Sequence, residues 1–188
     1  MSALRQIAVA NAPVDALDDA TPPGVSFSAA DFRQALGRFA TGVTLVSAAL
    51  DREPLGLVVN AFSSVSLEPP LVAICPSRSS FTWSRMRGAS RFGVNVLGAA
   101  HADYVDRVSA PDADRFAGIN YEFTESGVPR ISSAIAFLEC EPVSEHVAGD
   151  HWIVVARVHE LVVDPRQEPL VFSDGTLGGF HRTQEELT

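Results

Sequence analysis

The stretch "HWIVVARVHELVV", residues 151–163, decides the fold. Its even positions Trp152, Val154, Ala156, Val158 and Val162 are apolar, whereas the odd set carries His151, Arg157 and His159. Successive side chains of an extended chain point to opposite faces. This period of two therefore predicts a strand with one face on a core and the other toward a ligand, a subunit or water. Directly before it stands "EHVAGD", residues 145–150, in which Gly149 and Asp150 read as a turn. "SAIAFLECEPVSEHVAGD" then reads as a second long strand leading into that turn.

Further out, "GVTLVSAAL" and, beyond the turn "DREP", "LGLVVNAFSSVSL" are rich in β-branched residues and predict a hairpin. "PPLVAICP" predicts another strand with Pro69 and Pro70 at its boundary, where a missing N–H does least harm. "RFGVNVL" is a further strand, and "EPLVFSDGTLGGF" a last short one with a Gly-rich end. Three short helices are expected. In "SAADFRQALGRFATG", Phe32, Leu36 and Phe39 lie at helical spacing, with Ser28 as N-cap and Gly42 just beyond the end. "SSFTWSRMRG" stops at Gly88, and "AAHADYVDRVSA" is the third, while "DADRFAGINYEFTESGVPRI" reads as a loop. Residues 1–26, rich in Ala, Asp and Pro, read as a flexible arm, which leaves one domain over residues 27–188. Many strands joined by short turns, with helices too few to cover both faces of a parallel sheet, predict a mainly β protein built on an antiparallel barrel.

A net charge of −9, with arginine supplying all 14 basic residues, argues against nucleic acid or an anionic membrane as partner. Cys75 and Cys140 lie far apart without ligand spacing and read as reduced, buried thiols of a cytoplasmic protein. No apolar run approaches the roughly 20 residues of a membrane helix, and "IAVA" after Arg5 is too short for a signal-peptide core.

What chemistry is left for His151? His146, Asp150 and His151 make a poor metal set, because residues five apart on a strand face opposite sides. No G-x-S-x-G elbow supports a serine hydrolase, and no G-x-G-x-x-G supports a Rossmann cofactor site. A dense run of small polar residues remains. "NAFSSVS" places Asn60, Ser64 and Ser66 along one strand edge, and "CPSRSSFT" places Ser77, Arg78, Ser79, Ser80 and Thr82 around a helix start. Hydroxyls, free amides and a guanidinium there suit a phosphate group; the same serines also serve as ordinary caps and turn residues.

From about Phe32 to Phe180 the chain resembles the flavin reductase family, the NAD(P)H:flavin oxidoreductase components of two-component monooxygenases. "FRQALGRFATGVTLVS", "PLGLVVNAFSSVSLEPPLVAICPSRSSFTW", "RFGVNVL", "DRFAGI", Gly127 to Pro129, "AFLEC", "GDH" and "PLVFSDG" occur in the family's order. The resemblance implies a six-stranded Greek-key split β-barrel binding FAD or FMN. Carried over by position, flavin contacts would fall on Pro54, Leu55, Gly56, Leu57 and Val58, on Asn60 and Ala61, on Cys75, Pro76 and Ser77, and on Phe81 and Thr82. Arg107 would reach the phosphates. Gly149, Asp150 and His151 would face NADH or NADPH.

Two positions depart from the family pattern. Val58, Val59, Asn60 and Ala61 stand where T-A-N-S is common, and Leu177 stands where an aromatic is frequent. The implied chemistry is hydride transfer from nicotinamide to flavin, which asks the protein for stacking and orientation rather than a strong acid or base. His151 is then a wall of the nicotinamide site. The resemblance also implies a homodimer and a separate monooxygenase that receives reduced flavin. The rival expectations are a non-catalytic flavin- or haem-binding split barrel and an enzyme of the pyridoxamine-phosphate oxidase type.

Overall fold

A computed structural model describes residues 24–110 and 113–180. Most of the expected arm, residues 1–23, and the end of the expected domain, residues 181–188, lie outside the described residues. Helix α1 (Ala29–Gly37) starts on a reciprocal cap: the Asp31 N–H donates to the Ser28 hydroxyl at 3.2 Å, and the Ser28 N–H donates to the Asp31 carboxylate at 2.8 Å. It stops at Gly37 with Arg38 as C-cap, earlier than expected, and Gly42 belongs instead to β1 (Thr41–Gly42).

Strands β2 (Thr44–Leu50) and β3 (Glu53–Val59) form the expected hairpin. Asp51 and Arg52 both take the left-handed conformation (φ 51° and 68°) that a two-residue type I′ turn requires. The run expected as one strand then breaks at Asn60–Ala61 and resumes as β4 (Phe62–Ser66), followed by β5 (Leu71–Ile74). Helix α2 (Phe81–Met86) is capped by the Ser80 hydroxyl, which accepts from the Trp83 N–H at 3.1 Å. Strand β6 (Phe92–Val96) and helix α3 (Ala102–Val108) follow.

The segment expected as a loop contains a small hairpin, β7 (Tyr121–Phe123) with β8 (Pro129–Ile131), whose turn needs Gly127 at φ 83°. The long pair β9 (Ala136–Ala148) and β10 (His151–Val163) meets at the two-residue turn Gly149–Asp150. The last expected strand is itself a hairpin, β11 (Leu170–Ser173) with β12 (Thr176–Gly179), folded about Asp174–Gly175.

Seven strands, one more than the six expected, form an antiparallel sheet in the order β3-β2-β6-β9-β10-β5-β4. The extra strand arises because the break at Asn60–Ala61 sends β3 and β4 to opposite edges. Seven flat strands would be almost 30 Å wide at about 4.8 Å per step. Three residue steps from Val59 to Phe62 reach only about 11 Å. The sheet is therefore rolled, its two edges brought together at Asn60–Ala61, which makes it a split barrel.

Inside lies a cluster of Val46, Ala48, Leu55, Ile74, Trp83, Met86, Val94, Cys140, Val154 and Ala156, with α2 as its plug. A second cluster on the outer face packs Leu45, Leu97, Tyr104, Val105, Phe116, Ile131 and Leu170 beneath α3. Between them Asn95, fully buried, donates to the Leu45 carbonyl and the Ser47 hydroxyl at 3.0 Å each and accepts from the Ile131 N–H at 2.8 Å. A buried amide with its partners satisfied costs little and fixes β8 on the barrel.

The alternation expected along β10 holds only in part. Val154 and Ala156 are buried and Trp152 and Val158 half-buried, but Val162 is 42% exposed. The pairing with β9 slips between Val158 and Glu160, and β5 covers only Val154–Arg157. Beyond that slip β10 stays paired with β9 as far as Val163, but β5 no longer flanks its other edge.

Candidate functional site

Two clefts open on either side of the barrel seam. The wider, about 600 Å³, is lined by Arg33, Leu36 and Gly37 of α1, by Asn60, Ala61 and Phe62, and by Ala73, Cys75 and Phe172. The second, about 500 Å³, is lined by Val58 and Asn60, by Val105, Asp106 and Ser109 of α3 and its C-cap, and by Phe172, Thr176 and Leu177. Asn60 and Phe172 belong to both, so the two clefts form one trough across the seam. Its size suits a small aromatic ligand. The small side chains of Gly37, Ala61 and Ala73 leave room, while Leu36, Phe62 and Phe172 supply apolar wall.

The turn carrying His151 is anchored beside this trough by backbone. The Arg78 N–H donates to the Asp150 carbonyl at 2.9 Å, the Trp152 N–H donates to the Pro76 carbonyl at 2.9 Å, and Ser77 pairs with His151 as an isolated bridge. The Arg78 guanidinium adds a bond to the Gly149 carbonyl at 3.0 Å. Gly149 takes φ 59° and Asp150 does not follow it, the requirement of a type II′ turn with glycine first. Cys75, one residue before this anchor, donates its N–H to the Ala61 carbonyl at 3.0 Å. Asn60–Ala61, Cys75–Arg78 and Gly149–His151 are thus brought together.

Asp150 and His151 make a pair of their own: the carboxylate accepts from Nδ1–H at 2.7 Å. That bond is the main reason the Asp150 carboxyl sits below the usual carboxylate range, with the His151 charge next and Arg33 adding the smallest share. Burial pushes the Cys75 thiol up, so it stays protonated at neutral pH. At the start of α2 the Ser79 N–H donates to the Ser77 hydroxyl at 3.2 Å and Ser80 caps Trp83. These serines work as turn and cap residues. Thr82 stands half-buried in the first turn, and Phe81 is 77% exposed.

Other expected residues stand apart. Leu55 faces the barrel interior, and Leu57 packs on the same cluster. Pro54 pairs with Ala49 near the far end of β3. Gly56 touches Arg115 and Phe116, where an added Cβ would come within 2.8 Å of Arg115. Ser66 closes β4 opposite Leu71, five residues beyond Ala61, roughly 16 Å along an extended strand. Arg107 lines a different hollow of about 520 Å³ with His101, Tyr104 and Gln167, whereas α3 offers Val105 and Asp106 to the trough.

Sequence reasoning missed Arg33, Phe172, Asp106 and Ser109. Arg33, Leu36 and Gly37 do follow an i, i+3, i+4 spacing that marks one face of α1. Among the described residues no group of three His, Cys, Asp or Glu is placed to hold a metal ion, and both cysteines are free thiols. No helix of the described residues is long and apolar enough to cross a membrane.

The flavin reductase-like domain model matches residues 36–181 of this chain. The chain belongs to that family. It is 41% identical over 150 residues to a flavin reductase of Pseudomonas putida, covering 79% of this chain and 88% of the relative. It is 37% identical over 151 residues to the reductase subunit HsaB of a flavin-dependent monooxygenase from Mycobacterium tuberculosis, covering 79% and 81%. Among solved structures, the NADH:FAD oxidoreductase SgcE6 of Streptomyces globisporus, in complex with NAD and FAD fragments, superposes with a TM-score of 0.76 at 32% identity. That match covers 85% of this chain and 94% of the other. The protein is thus a flavin reductase with the mainly β split barrel of the family.

Proposed function

We propose that this flavin reductase oxidises NADH, passes the hydride to FAD or FMN in the trough at the seam, and releases the reduced flavin to a separate monooxygenase. The observation that carries the reading is the junction of Asn60–Ala61, Cys75–Arg78 and Gly149–His151 at one end of the barrel. It puts residues matched to flavin contacts beside residues matched to nicotinamide contacts. The naming of flavin and NADH in related proteins, and of reductase subunits serving monooxygenases, supports the same assignment.

When bound, the flavin supplies the redox chemistry, accepting a hydride at its ring system. The chain supplies position. The apolar wall of Leu36, Phe62 and Phe172 excludes water from a ring in the trough. Asn60 offers amide hydrogen bonds at its edge, and with Val58 and Ala61 in place of hydroxyl residues the hold on flavin is loose, as suits a flavin that leaves. His151, its Nδ1 held by Asp150, presents a fixed imidazole to the nicotinamide. No proton has to move through it.

The deciding experiment mixes the protein, NADH or NADPH, and FAD or FMN, and follows the loss of dihydronicotinamide absorbance. Flavin uptake without nucleotide oxidation would favour a carrier or sensor and sink the reductase reading. His151→Ala is expected to raise the KM for NADH about tenfold, with flavin affinity little changed; an unchanged KM would remove His151 from the site. Protein that stays yellow through extensive dialysis would contradict loose binding. The family resemblance also implies a homodimer, for which light scattering should give twice the chain mass.

A further inference from the structure

Arg33 has no part in holding the fold. It stands on the exposed side of α1 and, among the described residues, enters no hydrogen bond or ion pair. Neighbouring arginines are engaged: Arg38 pairs with Asp174 at 3.2 Å, and Arg78 donates to the Gly149 carbonyl at 3.0 Å. Yet the Arg33 side chain lines the wide cleft together with Asn60, Ala61 and Cys75. Its charge also reaches Asp150, adding to the larger effect of His151 on that carboxyl without closing an ion pair. A guanidinium with unused donors therefore sits between the flavin-facing wall and the nicotinamide-facing turn.

The charges at this mouth call for such a group. The chain carries a net charge of −9, and the exposed Asp150 carboxylate stands on the turn beside the cleft. A nicotinamide dinucleotide brings a pyrophosphate, which a bare acidic rim would repel. The fork of a guanidinium matches phosphate oxygens in geometry as well as charge. Arg33 rather than Arg78 is available for this, since the Arg78 guanidinium already bonds the turn.

We infer that Arg33 is the recognition residue for the pyrophosphate of the nicotinamide dinucleotide, holding the phosphate arm at the cleft mouth while the ring lies against His151. This rests on the flavin reductase reading above. It separates two jobs within one site: His151 places the ring, and Arg33 selects a ring that carries phosphates.

The test uses two hydride donors at saturating flavin, NADH and 1-benzyl-1,4-dihydronicotinamide, the second having the ring but no phosphate. Initial rates are compared for wild type, Arg33→Ala and Arg33→Lys. Arg33→Ala should raise the KM for NADH about tenfold, the loss of one charge-assisted contact, with kcat kept. Arg33→Lys should recover most of the loss, and the KM for the benzyl donor should be the same in all three. An equal rise for both donors would mean that Arg33 only shapes the cleft, and an unchanged KM for NADH would mean that it meets no phosphate; either overturns the assignment alone. Wild-type protein that oxidises neither donor overturns the reductase reading, and this assignment with it.

Discussion

Helices α1 and α2 both start on a serine cap and both carry aromatic residues, yet α2 buries Trp83 to 3% exposure beside Met86 while α1 buries nothing. Phe32, Leu36 and Phe39 of the α1 region are 52%, 56% and 76% exposed. The difference lies in what each helix meets. The short α2 drops into the open end of the barrel and completes its core, whereas α1 lies across the outside of the seam and lends its apolar side to a cleft. An amphipathic pattern reports that a face wants covering; it does not say whether core or ligand covers it.

The sharpest break in that comparison would come from truncating the anchors. Trp83→Ala should cost about 3–5 kcal/mol in urea unfolding, the range for emptying a buried aromatic site, while Leu36→Ala should stay within about 0.5 kcal/mol. Similar losses at both would mean that α1 is a core element after all. Trp83→Phe should cost far less than the alanine, because the indole N–H is buried without an acceptor among the described residues.

Smaller effects come from the caps. Ser80→Ala is expected to cost about 1 kcal/mol, since the helix it starts carries core residues. Ser28→Ala should leave global unfolding almost unmoved and appear instead as faster amide exchange in α1. The smallest effect is on pH. The Ser28 hydroxyl, and then its backbone N–H, hold the Asp31 carboxyl below the ordinary range. The folded state thus favours the ionised form. Its contribution is fully present above the unfolded value of about 3.9 and is lost as pH falls through the lower folded value. The first turn of α2 has no acid. Acidification from about pH 5 to pH 3 should therefore speed amide exchange in α1 before α2.

How legible was this in the sequence? The β9–β10 hairpin was, because Gly149–Asp150 lies between two long β-rich runs and the turn residues are specific. The Ser28 cap was too, and so was a serine cap for the second helix, though not which serine supplies it. The break at Asn60–Ala61 was not: "LGLVVNAFSSVSL" has continuous strand character, and only the distance between the two sheet edges requires the chain to leave one and join the other. The exposed end of β10 was missed for a related reason, since a slip in pairing leaves no mark in the alternation of residue types. At the site, Cys75–Arg78 lies as one short run against Ala61 and the Gly149–His151 turn. Ser66 and Arg107 did not join them, because a strand moves Ser66 away from the seam and helical geometry turns Arg107 to the other side of α3.

The seam has a consequence for assembly. β3 and β4 are consecutive in the chain but lie at opposite edges, so the trough at Asn60 is complete only when the five strands between them are in place. A ligand seated there acts as a clasp on the whole barrel, and its binding energy adds to the stability of every strand in the ring rather than to the few it touches.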